Sequence, residues 1–152
     1  MATHDYAALN VKIRKVRVSD LPEVAKQYGK EGESPWDPFC STERMKSIPK
    51  NGFLVARIQN EYVGFIYWFK ATSPWFDKDA STYAHIQEVH VIERFRGHGI
   101  GKALISDALK RIKQEGINTV YIDTTEENSS ARHLYESAGF RPFMKTLHFK
   151  LK

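Results

Sequence analysis

Residues 11–18 (VKIRKVRV) alternate apolar and charged positions, with a change of phase at Arg14-Lys15. Such a run predicts a first strand with a bulge where the phase changes. Asp20-Leu21-Pro22-Glu23 then sets out a capping aspartate, a first-turn proline and a glutamate at the third helical position, with Val24, Ala25 and Tyr28 on one face. That is the start of a first helix. Residues 30–39 (KEGESPWDPF) read as a polar loop, and Ser41-Thr42-Glu43 opens a short second helix through Met45 and Ile48 that Pro49 ends. Phe53 to Ile58 and Tyr62 to Ala71 are rich in β-branched and aromatic residues and are separated by Gln59-Asn60-Glu61, which predicts an antiparallel hairpin.

After a loop over 73–81, Tyr83 to Val91 reads as a strand in which Ala84 and Ile86 share one phase while Val89 and Val91 share the other. A bulge near Glu88 reconciles them. Ile100, Leu104, Ala108 and Ile112 recur every four residues, and Gly116 supplies a left-handed stop, so the longest helix lies here. Thr119 to Asp123 is a short buried strand. Asn128 or Ser129 caps a helix whose Ala131, Leu134, Tyr135 and Ala138 share one face before Gly139, and Phe140 to Leu151 is expected to close the chain as strand. Strand, helix and strand across 83–123 form a βαβ unit behind an antiparallel front half. The fold class is therefore α/β: a single mixed, mostly antiparallel sheet of about six to seven strands with helices on both faces.

A length of 152 residues suggests one domain over 1–152, with 1–10 as a flexible N-terminal extension. Cys40 is the only cysteine, which removes disulfide frameworks and zinc sites built on paired cysteines; no metal is expected, and a reducing, cytoplasmic setting is. No apolar run approaches the roughly 18 residues needed to span a bilayer, so no membrane partner is expected. The net charge of +5 is uneven: residues 94–116 carry six Lys/Arg against Asp107 and Glu115. These cations cluster on one loop and its helix and not along an aromatic-interleaved sheet, which argues against nucleic acid.

That loop is Arg96-Gly97-His98-Gly99-Ile100-Gly101, followed by Lys102, between a strand end and the first turn of the long helix. Glycines let backbone N–H groups crowd around a ligand, the helix N-terminus adds about half a positive charge, and Arg94, Arg96 and Lys102 are near. Phosphate is the natural guest. A Walker A loop is excluded, because its Ser/Thr and first glycine fall on Ala103 and Arg96, and the dinucleotide fingerprint lacks its last glycine at Lys102.

Arg96-x-x-Gly99-x-Gly101 resembles the acetyl-CoA loop of the GNAT superfamily of N-acetyltransferases. Val89-x-Val91 upstream, Leu104, and the block from Asn128 through Ala131, Leu134, Tyr135 and Gly139 to Phe140 match that superfamily's second half in order and spacing. The resemblance is close over 83–141 and limited to element order over 11–71. Residues 140–152 depart from it, with too little room for the usual pair of final strands, so a strand swapped in a homodimer and a single bent strand both stay open.

The resemblance implies an acetyl-CoA-dependent acyltransferase that moves acetyl to a primary amine by direct attack in a ternary complex; the rival reading is a non-catalytic acyl-CoA sensor. It implies that Val89 and Val91 face the pantetheine arm through their backbone, that Arg96, Gly97, His98, Gly99, Ile100, Gly101 and Lys102 hold the pyrophosphate, and that Asn128 touches the pantetheine. Tyr135 would stand near the thioester sulfur as general acid, and His85 or Glu88 would supply the base, directly or through water. Trp36, Asp37, Trp75 and Phe76 are the candidate walls for the acceptor, a small-molecule or peptide amine. His98, apart from its backbone, is expected to be solvated.

Overall fold

Gln59 and Asn60 both take positive φ (47° and 68°), the left-handed pair that matches a two-residue hairpin turn to the twist of its strands. They join β2 (Phe53–Ile58) to β3 (Glu61–Thr72), the centre of a five-stranded sheet completed by β1 (Lys12–Lys15), β4 (Thr82–Val91) and β5 (Val120–Ile122). The computed structural model describes residues 10–30 and 37–152. The strands lie in sequence order. β1 to β4 are antiparallel neighbours, and β5 runs parallel to β4 through the crossover helix α3 (Ile100–Gln114).

Helices cover both faces. On one, Tyr28 of α1 (Leu21–Gly29) packs on Phe65 and His90 at ring separations of 5.7 and 5.1 Å. Phe39, in a 3-10 turn over Pro38–Cys40, packs on Phe53, Phe65 and Tyr67. α2 (Thr42–Ser47), capped by Ser41, adds Met45. On the other face α3 buries Ile100, Leu104, Ile105, Ala108 and Ile112 against β2, β3 and β4, the stripe its four-residue spacing dictates. α4 (Ser129–Ser137) sits against α3 and buries no residue completely.

The structure corrects four expectations. The sheet has five strands among the described residues, not six or seven. Residues 140–151 form no strand; alternation makes a segment strand-competent, but a strand exists only where a neighbour pairs with it. β1 pairs with β2 in unbroken register through Arg14 and Lys15, so its phase change marks the strand's end, not a bulge. Asp20 does not cap α1 with its side chain: its carboxylate accepts two hydrogen bonds from Arg14 (2.7 and 2.8 Å) and one from the Arg17 N–H (2.7 Å), with Arg57 at 3.4 Å. Among the described residues no helix is long and apolar enough to cross a membrane.

Candidate active site

The loop before α3 is built by two glycines with φ of +80° (Gly97) and +84° (Gly99), a conformation that costs an L-residue roughly 1–2 kcal/mol. Among the described residues, a Cβ at either would meet nothing within 4 Å, whereas one at Gly101 would lie 3.1 Å from Leu134 of α4. Openness is thus built into the first two positions and close packing into the third. Among the described residues no side chain caps α3 at Gly99, whereas Ser41 and Asn128 cap α2 and α4. The first-turn N–H groups of α3 form a donor cluster at the positive end of a 15-residue helix. Ile100 is buried, so it offers the loop only its backbone. Arg94 lies over the Phe95 ring at 4.7 Å and pairs with Glu61, which turns it to the protein. His98 is half-buried, contrary to the solvated position expected of it.

β4 and β5 pair only from Ala84–Val120 to Ile86–Ile122. Among the described residues no strand pairs with the rest of β4 on that side. The Ile92 N–H donates to Val63 of β3, so by alternation the polar backbone groups of Val91 and Val89 point away from β3, toward the split. Arg96 Nε donates to the Val91 carbonyl at 2.8 Å and ties the glycine loop to this strand end.

The expected bulge is present: Ile86 pairs with Trp68 and Glu88 with Tyr67, leaving Gln87 as the extra residue. In a regular strand His85 and Glu88 would lie on opposite faces. The bulge turns both toward the face covered by α1, in line with Phe69 and Tyr67.

On that face Glu88 Oε2 lies 2.9 Å from the Tyr28 hydroxyl, which is also 2.8 Å from Asp37 Oδ2. The phenol has one hydrogen to donate, so it serves the two carboxyl groups only in turn and couples them. Burial, then Glu88 and Asp37, push its pKa far above the usual tyrosine range. Asp37 also accepts from the Phe39 N–H through Oδ1 at 3.0 Å, which fixes its rotamer. Half-buried Tyr135 of α4 is pushed up to about 12, by burial first and the charge of Glu88 second. It keeps its proton at neutral pH.

The other candidates are dispersed. His85 Nε2 pairs with Asp123 Oδ2 at 2.8 Å and stacks near Phe69 at 5.2 Å, three residues before Glu88 on β4. Asn128 spends its side-chain oxygen on the Ala131 N–H at 3.0 Å. Trp36 lies outside the described residues. Phe76 joins Tyr83, Tyr121 and Phe143 in an aromatic cluster at the start of β4, with exposed Trp75 against it. The residue that sequence reasoning missed is Tyr28, taken as a packing residue on the apolar stripe of α1. The signal was a hydroxyl on an otherwise apolar face.

The sequence profile of the acetyltransferase (GNAT) family matches residues 17–140. An N-alpha-acetyltransferase of Sulfurisphaera tokodaii is 26% identical over 145 residues, covering 91% of this chain and 84% of that protein. Among solved structures, aminoglycoside N-acetyltransferase AAC(6')-Iy in complex with CoA superposes with a TM-score of 0.77 at 16% identity, over 94% of this chain and 95% of the other. A ribosomal-protein-alanine N-acetyltransferase from Brucella melitensis biovar Abortus does so at 0.71 and 18% identity, over 94% and 100%. The open glycine loop, the parted strands and the matching profile agree: the chain belongs to the GNAT family of acetyltransferases.

Proposed function

We propose that the chain moves acetyl from acetyl-CoA to a primary amine by direct attack in a ternary complex. The observation that carries this reading is the parting of β4 from β5 after Ile86, with the N-terminus of α3, uncapped by any described side chain, following the end of β4.

The loop fits the cosubstrate. The N–H groups of the α3 first turn, with Gly97, His98, Gly99, Ile100 and Gly101 contributing backbone and Arg96 and Lys102 contributing charge, suit a diphosphate. Val89 and Val91 offer backbone groups toward the split, and Asn128 contributes by holding α4, and hence Tyr135, in place. Acetyl-CoA supplies an acyl group activated as a thioester. The attacking nitrogen needs a lone pair, so Glu88 takes the amine's proton, directly or through water, while Tyr28 and Asp37 hold its carboxylate. Tyr135 gives a proton from Oη to the departing sulfur. His85, paired with Asp123, is the second candidate base.

Two carboxyl groups joined through Tyr28 favour a cationic acceptor, and the relatives' names supply the amines to try: peptide α-amines and aminoglycosides. The reading is tested by following CoA release from acetyl-CoA across those classes and simple polyamines. Amine-dependent release with a matching acetylated product is expected; acetyl-CoA binding with no release above hydrolysis for any amine would contradict it.

A further inference from the structure

An ammonium acceptor sheds two protons on becoming an amide. One replaces the proton that Tyr135 gives to the sulfur, and the other is the one Glu88 takes before attack. A glutamate is a far weaker base than an alkylamine, so a proton left on Glu88 returns to the nitrogen unless it is drained. An acceptor seated against Glu88 stands between that carboxyl and water, and the drain has to run behind it.

The contacts behind Glu88 have that form. Glu88 Oε2 and Asp37 Oδ2 lie 2.9 and 2.8 Å from one oxygen, the Tyr28 hydroxyl. Tyr28 is 1% exposed, walled by Phe39, Phe65 and His90 at ring separations of 5.9, 5.7 and 5.1 Å. Asp37 is half-buried and so retains a side open to water. It caps the 3-10 turn through Oδ1, which accepts from the Phe39 N–H at 3.0 Å and leaves Oδ2 to the phenol. One phenol hydrogen serves one carboxylate at a time, and two carboxylates meeting at one oxygen repel. A second carboxyl in this place is therefore a poor support for Glu88 and a good receiver for its proton.

We propose that Tyr28 and Asp37 form a relay that carries the acceptor's proton from Glu88 to solvent while the acceptor is bound. Protonated Glu88 gives its hydrogen to Tyr28 Oη as the phenol hydrogen passes to Asp37 Oδ2. One O–H bond breaks at Glu88 and one forms at Asp37, while the phenol exchanges one O–H bond for another and stays neutral. Asp37 then yields the proton to water, and the hydroxyl turns back toward it. Burial and the two carboxyl charges hold a hydrogen on the phenol throughout, so the two transfers are concerted. The inference rests on the acetyl-transfer reading with Glu88 as the base.

Its test is a double-mutant cycle read with two acceptors at about pH 7: a primary amine, which binds as ammonium, and its aminooxy analogue, whose primary nitrogen is neutral there. Asp37→Asn keeps the oxygen that accepts from the Phe39 N–H, and its NH2 group donates to Tyr28 Oη, which leaves the phenol hydrogen to Glu88. The base stays held and the proton's destination is gone. Tyr28→Phe removes the link and keeps the Asp37 charge. With the amine, each change should lower kcat roughly tenfold, and the two together no further than either alone, because groups acting in series fail as a unit. With the aminooxy acceptor all three variants should match the unmodified chain within about twofold. Additive losses overturn the relay, as do equal losses on both acceptors or a slow Asp37→Asn beside an unimpaired Tyr28→Phe, which would mark an effect of charge alone. Unimpaired turnover of the amine by Asp37→Asn overturns it too. Should one variant fail to fold, the other decides by the same contrast between acceptors. Each of these results leaves acetyl transfer standing, whereas no acetylated product from the unmodified chain with either acceptor contradicts the acetyl-transfer reading and the relay with it.

Discussion

The Tyr28 hydroxyl on α1 and the Glu88 carboxylate on β4, 60 residues apart in the chain, meet at 2.9 Å. The contact exists because the Gln87 bulge turns Glu88 toward α1 while Tyr28 is held by Phe39, Phe65 and His90. A backbone irregularity and an aromatic cluster thus set the position of one carboxylate.

Tyr28→Phe removes the hydroxyl and keeps the ring. Stability should fall by only about 1 kcal/mol. If Tyr28 positions the base, kcat should drop roughly tenfold and the acidic limb of the pH–rate profile should move to higher pH, because a donor to the carboxylate has gone. A profile superimposable on the parent's would assign Tyr28 to packing alone.

Glu88→Gln and His85→Ala separate the two candidate bases. The Glu88 change should cost about 10²-fold in rate at neutral pH, with partial recovery at high pH where free amine is abundant, and the His85 change should cost less. The opposite ranking would move the base to His85 and Asp123. Profiles unchanged in both variants would exclude each residue.

Gly99 and Gly116 take nearly the same positive φ (84° and 81°), and a Cβ added to either would meet no described atom within 4 Å. Alanine at either should therefore cost a similar roughly 1–2 kcal/mol in strain. Only Gly99→Ala should also weaken CoA binding, and Gly99→Asp should abolish it by adding repulsion. Equal CoA affinities by calorimetry in the Gly99→Ala and Gly116→Ala variants would remove the diphosphate from the loop.

Asp20 makes stability depend on acid. Burial opposes its charge, but Arg14, the Arg17 N–H and Arg57 outweigh it and hold its pKa below the ordinary value. The unfolded chain then binds the proton more readily, so this contribution is complete above the unfolded value, about pH 4, and is lost as pH falls through the folded one. Asp20→Asn should cost about 2–3 kcal/mol at neutral pH and flatten the fall in melting temperature between about pH 5 and pH 3. Parallel curves for the two proteins would contradict the linkage.

What the sequence disclosed and what it hid divide along physical lines. The glycine loop, α3 and α4 were legible because their signals are local: spacing of four, Asn128 at a cap, glycines at left-handed positions. The bulge was legible too, since the phase of Ala84 and Ile86 conflicts with that of Val89 and Val91. The Tyr28–Glu88–Asp37 contact was not, because it depends on how α1 lies across the sheet. Asp20 looked like a cap for the same reason, its Arg14 and Arg57 partners being on neighbouring strands. For residues 140–151 the alternation is visible in the letters, but pairing is a property of the neighbour and not of the segment.

The central claim is that Tyr135 donates the proton that lets the thiolate depart. With its hydroxyl held at about 12, it should produce no alkaline fall in rate between about pH 7 and pH 10, roughly two units below its own titration. The most direct measurement is kcat of Tyr135→Phe at saturating acetyl-CoA, with chemistry rate-limiting, beside its melting temperature and CoA affinity. A fall of about 10²–10⁴ in kcat, with folding and affinity nearly unchanged, is the predicted result. An unchanged kcat, with stability lost only on truncation to Ala, would make Tyr135 a packing residue and contradict the account.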